Sequence, residues 1–197
     1  MPLDFLTILV SMFVIIDPLI AIPTFLALFG KCDRAKQKKA AMEASVAALL
    51  LLVAFALFGT ALLERMSISL PAFMIAGGIL LLYLSFEFIR GELPKTRTVE
   101  RDPADVIVPV ATPLLAGPGA ITTSIYFTHT YGAEETLAAI FFVCFFCFFF
   151  LYYSTRILRL IGNNGLKIFT RIMGILTAAI AISLIEKALV AWGVLAL

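Results

Sequence analysis

Two short stretches of this chain combine groups able to hold a small charged molecule inside an otherwise apolar protein. In the first, Asp17-Pro18-Leu19-Ile20-Ala21-Ile22-Pro23-Thr24, a carboxylate lies beside two prolines. In the second, Thr112-Pro113-Leu114-Leu115-Ala116-Gly117-Pro118-Gly119-Ala120-Ile121-Thr122-Thr123, prolines alternate with glycines and hydroxyl side chains. Proline inside a helix removes a backbone donor and clashes with the carbonyl four residues earlier. Pro18 thereby frees the carbonyl of Val14, Pro23 that of Leu19, Pro113 that of Pro109 and Pro118 that of Leu114. Beyond each break a half-helix is expected to begin, with free amides near Thr24 to Leu26 and near Gly119 to Ile121. Such N-termini attract anionic groups. A carboxylate suits those amides; an ammonium group or a coupling cation suits the freed carbonyls and Asp17. The expected binding set is Asp17, Pro18, Pro23, Thr24, Thr112, Pro113, Gly117, Pro118, Gly119, Thr122 and Thr123, with Asp17 also the candidate for a coupled ion.

Each of these readings has a plainer competitor. Asp17 is also suited to cap the amides of its own broken helix. The Gly117 to Thr123 run also suits close helix packing through small residues, as do Gly77, Gly78 and Gly174. Glu87, close to the end of its apolar run, reads as an interfacial anchor. Cys144 and Cys147 have redox-pair spacing but sit in a Phe-rich helix without a basic neighbour to stabilise a thiolate, so they read as filler. His129, the only histidine, has no partner for a metal site. No HExxH, GxSxG, P-loop or GxGxxG pattern occurs, which argues against an enzyme and against any cofactor.

The elements that position these groups must lie in lipid. Of 197 residues, 62% are hydrophobic and 14% charged, against about a quarter charged in soluble domains. A bilayer core about 30 Å thick needs roughly 20 apolar residues per helix. Cutting at the charge clusters leaves six expected spans: Leu3 to Phe29, Ala44 to Leu63, Ile68 to Ile89, Val106 to Phe127, Thr136 to Tyr153 and Leu166 to Lys187, with Ala188 to Leu197 as an interfacial tail. The opening Met-Pro-Leu-Asp carries no positive n-region, so the first run is expected to be a span and not a leader. Asp17 falls near the middle of the first span. A carboxylate there costs about 2.5 to 3.5 kcal/mol even on the lenient insertion scale, so pairing, protonation or a watery cavity is expected.

The basic connections obey one parity, with only Arg65 in an alternate connection and Lys187 at the end of the sixth span. Lys31, Arg34, Lys36, Lys38 and Lys39 follow the first span, Arg90, Lys95, Arg97 and Arg101 the third, and Arg156 and Arg159 the fifth. The positive-inside rule makes these connections cytoplasmic and both termini external. A net charge of +2, without a continuous basic face, gives no sign of a nucleic-acid partner.

The chain also resembles itself. Asp17 to Pro23 aligns with Thr112 to Pro118 at an offset of 95, and Gly78-Ile79-Leu80 aligns with Gly174-Ile175-Leu176 one residue later. Three spans per half is an odd number, so the second half enters the membrane the other way up, as in many secondary transporters. The expected architecture is an all-α membrane protein, one transmembrane domain over residues 1–197. Its 3+3 inverted repeat is expected to divide into about 1–95 and 96–197, with helices 1 and 4 discontinuous.

Asp17-Pro18-Leu19 with Pro23, the run Pro113 to Thr122, and Arg171-Ile172-Met173-Gly174 together resemble the MarC family of bacterial and archaeal inner-membrane proteins, over essentially the whole chain. That family is similar to small neutral amino acid transporters. The resemblance implies a glycine or alanine type of substrate, coupling to a proton or sodium gradient, and a multi-pass protein of the cell inner membrane. Ile20 and Ile22 stand where the family commonly has small or polar residues. The alternatives are a non-transporting membrane scaffold and an exporter of other small metabolites or drugs. A homo-oligomer is compatible with either.

Overall fold

The computed structural model describes residues 2–30, 32–91 and 115–194, and among these every regular element is helical. Helix α1 is Pro2–Ile16, α2 Pro18–Phe29, α3 Arg34–Arg65, α4 Leu70–Arg90, α5 Pro118–Tyr131, α6 Ala133–Tyr152 and α7 Ser154–Ala191. Five stretches are long and apolar enough to cross a bilayer: Asp4–Phe29, spanning the α1–α2 break, Arg34–Arg65, Leu70–Arg90, Ala133–Tyr152 and Asn164–Ala191. Helix α5, with 14 residues, is too short to cross by itself. Residues 106–114 of the expected fourth span lie outside the described residues.

The helices outrun the apolar segments at several ends. Helix α3 starts at Arg34, ten residues before the expected Ala44, because the Asp33 carboxylate caps it by accepting the Lys36 amide at 2.7 Å. A hydropathy boundary marks where lipid ends, and a cap marks where helix ends. Gln37 Nε2 donates to the carbonyls of Phe29 at 3.1 Å and Cys32 at 3.0 Å, tying the end of α2 to the start of α3. Helix α7 is broken at Gly162, whose φ of 70° and ψ of 167° separate a short basic segment carrying Arg156 and Arg159 from the long apolar one. That long segment runs to Ala191 with Ala188 fully buried, so the expected tail from Ala188 is helix for its first turn.

Along α3 the packing is inverted relative to a water-soluble bundle, with mostly small side chains inward and large ones outward. On α3 the buried residues Ala40, Ala44, Ala48, Leu52, Ala56, Gly59 and Leu63 recur at helical spacing, while Leu50 and Phe58 face out at 65% and 68% exposure. Lipid supplies no hydrophobic drive between helices, so close approach through small residues and dispersion must hold them. Helix α3 packs on α6 and α5, α4 on α7 and α5, and α1 on α6. Phenylalanines knit α1 to α6 edge to face, Phe5 with Phe142 at 6.1 Å and Phe13 with Phe146 at 6.3 Å between centroids. Cys144 and Cys147 are buried free thiols on the inner side of α6.

Glycines set the closest approaches. A Cβ on Gly78 would lie 2.6 Å from Ile185 Cγ1 and 3.0 Å from the Ala181 carbonyl, and one on Gly174 3.0 Å from both Phe88 Cβ and Ile89 Cγ1. A Cβ on Gly77 would collide with Thr122 of α5. Gly78→Leu and Gly174→Leu therefore push α4 and α7 apart. Each is expected to lower the thermal stability of the detergent-solubilised protein by about 1–3 kcal/mol. Leu57→Ala, on the lipid side, stays within about 0.5 kcal/mol. Unfolding followed by size-exclusion recovery after heating measures both.

Candidate functional site

The first span is broken at Asp17. Its backbone is left-handed, with φ 41° and ψ 75°, a conformation that Asp tolerates better than most residues because its short side chain bonds locally. The Asp17 amide still donates to Phe13 at 3.0 Å, so α1 runs up to it; Pro18 then opens α2 at the position where a missing N–H does least harm. Asp17 Oδ1 accepts the Ile20 amide at 3.2 Å. In an unbroken helix that amide would bond to Ile16, and Pro18 has no N–H for Val14. Both carbonyls thus lose their helical donor. The capping role that competes with a binding role for Asp17 is present in the fold. It uses one oxygen only: Asp17 is 3% exposed and Oδ2 has no hydrogen-bond partner.

A second half-helix begins at Pro118. Gly117, with extended backbone, precedes it and provides no side-chain cap. The first bond of α5 runs from the Ile121 amide to the Gly117 carbonyl at 3.1 Å, which leaves the Gly119 and Ala120 amides without a helical acceptor. The two half-helix starts meet. Asp17, Ile20 and Ala21 from the first, and Gly117, Pro118, Gly119 and Ala120 from the second, line one cavity of about 330 Å³. Leu81 of α4 and Thr177 of α7 close it. Thr177 is 1% exposed and its Oγ1 has no hydrogen-bond partner, the second such polar atom in the wall. The rest of the described wall is aliphatic and aromatic, including Ile15, Ile16, Leu80, Leu84 and Phe88.

A wall of this kind, apolar with a few converging polar groups, is the usual form of a small-molecule site. It offers an anion two amides at a helix N-terminus, and a cation one oxygen of a carboxylate. The profile of the MarC family integral membrane proteins matches residues 3–192. The chain belongs to the MarC family. Among its relatives, a UPF0056 membrane protein of Methanocaldococcus jannaschii is 36% identical over 189 residues, covering 89% of this chain and 90% of its own. Similar proteins of the same description in Aquifex aeolicus and in Buchnera aphidicola from Acyrthosiphon pisum are 32% and 33% identical over 191 and 183 residues. They cover 91% and 87% of this chain and 89% and 85% of their own. No solved structure matches it. Membership of the MarC family makes the chain an integral membrane protein, in agreement with the five long apolar stretches among its described residues.

Of the residues expected at the site in this MarC-family protein, the fold brings together Asp17, Gly117, Pro118 and Gly119. Thr112 and Pro113 lie outside the described residues. Several others stand elsewhere. Pro18 and Thr24 are buried away from the cavity wall, and Pro23 sits within a continuous α2. The amides of Thr24 to Leu26 are therefore inside the helix and not at its start; the break falls at Pro18, because Asp17 supplies a cap there and Ile22 supplies none at Pro23. Thr122 donates to the Pro118 carbonyl at 2.9 Å and packs on Gly77, a contact between α5 and α4. Thr123 donates to the Gly119 carbonyl and lines a different cavity. Thr177 was not singled out in the sequence. Its only signal there is a hydroxyl three residues beyond Gly174, which has many innocent explanations.

The geometry separates the cap from the free oxygen of Asp17. Asparagine keeps an acceptor for the Ile20 amide and tolerates the left-handed backbone, whereas alanine does neither. Asp17→Asn is expected to melt within about 1 kcal/mol of the wild type and Asp17→Ala to lose about 2–3 kcal/mol. Thermal unfolding of the purified protein in detergent checks the order.

Proposed function

We propose that this protein is a secondary transporter of small neutral amino acids, of the glycine or alanine type, working by alternating access in the cell inner membrane. The observation that carries the reading is the unpartnered Asp17 Oδ2, buried in the wall of the cavity where two half-helices begin. A zwitterion satisfies both ends of that wall. Its carboxylate takes the Gly119 and Ala120 amides, and its ammonium takes Asp17 Oδ2. The apolar remainder, with Leu81 and Phe88, leaves room for a methyl group and little affinity for a charged side chain. Thr177 offers a hydroxyl to either end. A leftover carboxylate oxygen at membrane depth also suits a proton or a sodium ion, the two coupling ions considered. Binding and release need no covalent step, and the proposed protein is not an enzyme.

Six spans in a 3+3 inverted repeat, with a discontinuous fourth helix, complete the proposal. The contacts support it. At the offset of 96 that relates Gly78 to Gly174, Ile89 corresponds to Ile185. Gly78 is packed against Ile185, and Gly174 against Ile89. Exchanging the halves converts one contact into the other, as a two-fold axis in the membrane plane requires. The same exchange turns the packing of α2 on α6 into that of α5 on α3, and leaves the α3–α6 and α4–α7 pairs in place. Under the positive-inside rule, the connections bearing Lys36, Arg90 and Arg156 are cytoplasmic and both termini external.

A membrane scaffold, in which the break serves packing alone, draws support from the Asp17 cap and from the Thr122 contact with Gly77. Flux separates the two readings. Purified protein in liposomes is expected to take up labelled glycine or alanine saturably under a proton or a sodium gradient, and Asp17→Asn to lower that flux at least about tenfold, the effect of one charge-assisted bond, while keeping its melting behaviour. Absence of saturable flux for both amino acids under both gradients defeats the transporter reading.

A further inference from the structure

A second cavity lies beyond the first, between α1, α5 and α7, and its chemistry is different. It has about 170 Å³ of free volume, and its wall includes Ser11, Thr123, Tyr126, Ser183 and Lys187. Hydroxyl groups clustered within apolar helices are costly unless a helix carbonyl, water or a polar ligand meets them. Lys187 Nζ stands 5.2 Å from the centroid of the buried Tyr126 ring, a cation–π contact.

The two cavities are stacked along the same three helices. On α1, Ser11 lies six residues before Asp17; on α7, Ser183 lies six residues after Thr177. At the helical rise each interval is about 9 Å. On α5 the interval from Gly119 to Thr123 is a single turn, and the Thr123 hydroxyl donates to the Gly119 carbonyl across it. One helical turn of α5 thus separates Gly119 in the wall of the first chamber from Thr123 in the wall of the second.

We propose that the second cavity is the external entry chamber of the same path, where Lys187, with the Ser183 hydroxyl, first engages the carboxylate of a small zwitterion. This rests on the transporter reading above for its direction and its substrate class. The first cavity presents neutral amides to a carboxylate at depth. The second presents a full positive charge near the membrane surface, where capture from water needs it. The hydroxyls of α5 and α7 then lead toward Gly119 and Thr177.

The test reads charge and access without requiring transport. In a parent chain carrying Cys32→Ser, with Cys144 and Cys147 buried, Ser11→Cys and Ser183→Cys are each exposed to impermeant anionic and cationic methanethiosulfonates added outside proteoliposomes of fixed orientation. Both cysteines are expected to react from outside. At Ser183→Cys the anionic reagent is expected to be favoured, and Lys187→Gln to reduce that preference about fivefold, the effect of one unit charge several ångströms away in a wet site. Lys187→Arg, which keeps the charge, retains it. Glycine or alanine at millimolar concentration slows the reaction with Lys187 present and not with Lys187→Gln. Unreactive cysteines, or a preference indifferent to Lys187→Gln in a protein that stays monodisperse, overturn the proposal. Slowing that follows only the addition of anionic lipid assigns the oxyanion to the membrane and overturns it as well. A Lys187-dependent preference without protection by either amino acid upholds the anion chamber and counts against glycine and alanine as the substrate.

Discussion

A peptide group in hydrocarbon must find its hydrogen-bond partner within the protein, and the rest of this structure depends on how that demand is met at Asp17 and Pro18. Proline withholds a donor, the left-handed turn redirects another, and the aspartate side chain captures the Ile20 amide. What remains is an unpaired carboxylate oxygen and carbonyls without helical donors, held where a lipid-facing helix could not hold them. The surrounding helices bury the break, with Asp17 at 3% exposure, and the cavity beside it gives those polar groups a place to meet something small. Irregular backbone is tolerable at this depth only under such cover.

The cover in turn depends on small side chains. Alanines along α3 and glycines on α4, α5 and α7 bring backbones close enough for dispersion to hold the bundle, while the phenylalanines and leucines that a soluble protein would bury are turned outward. Gly119 serves both purposes at once. It leaves an amide free in the cavity and admits Leu81 of α4 against the backbone. A larger residue there would disturb packing and site together, which is why Asp17, and not Gly119, is the informative position for separating scaffold from transporter.

The proposed chemistry follows from unequal halves. If the repeat holds, Asp17 corresponds to Thr112, and Thr177 to Leu81. Each pair then sets a polar or ionisable group against one that is less so. Symmetry would let the bundle rock between two similar states, and asymmetry in these pairs would let one ion or one end of a zwitterion decide when it does. Lys187 continues the same logic toward the surface, where a charge exposed to water can attract what the drier interior then holds by amides.

The sequence by itself determined the solvent, the helical class and the places where the first and fourth apolar runs fail, because hydropathy, charge parity and proline are local properties. Asp17 and the Gly117-Pro118-Gly119 run were legible for the same reason: backbone donors missing at membrane depth must be answered nearby. The structure showed which proline breaks the helix: Pro18, which follows a residue able to cap, and not Pro23, which follows Ile22. It also decided that Thr122 meets Gly77 while Thr123 and Thr177 face two different chambers. Those choices depend on how the described helices rotate and approach one another, and rotation about a helix axis is fixed by contacts between distant segments, which no single stretch of residues contains.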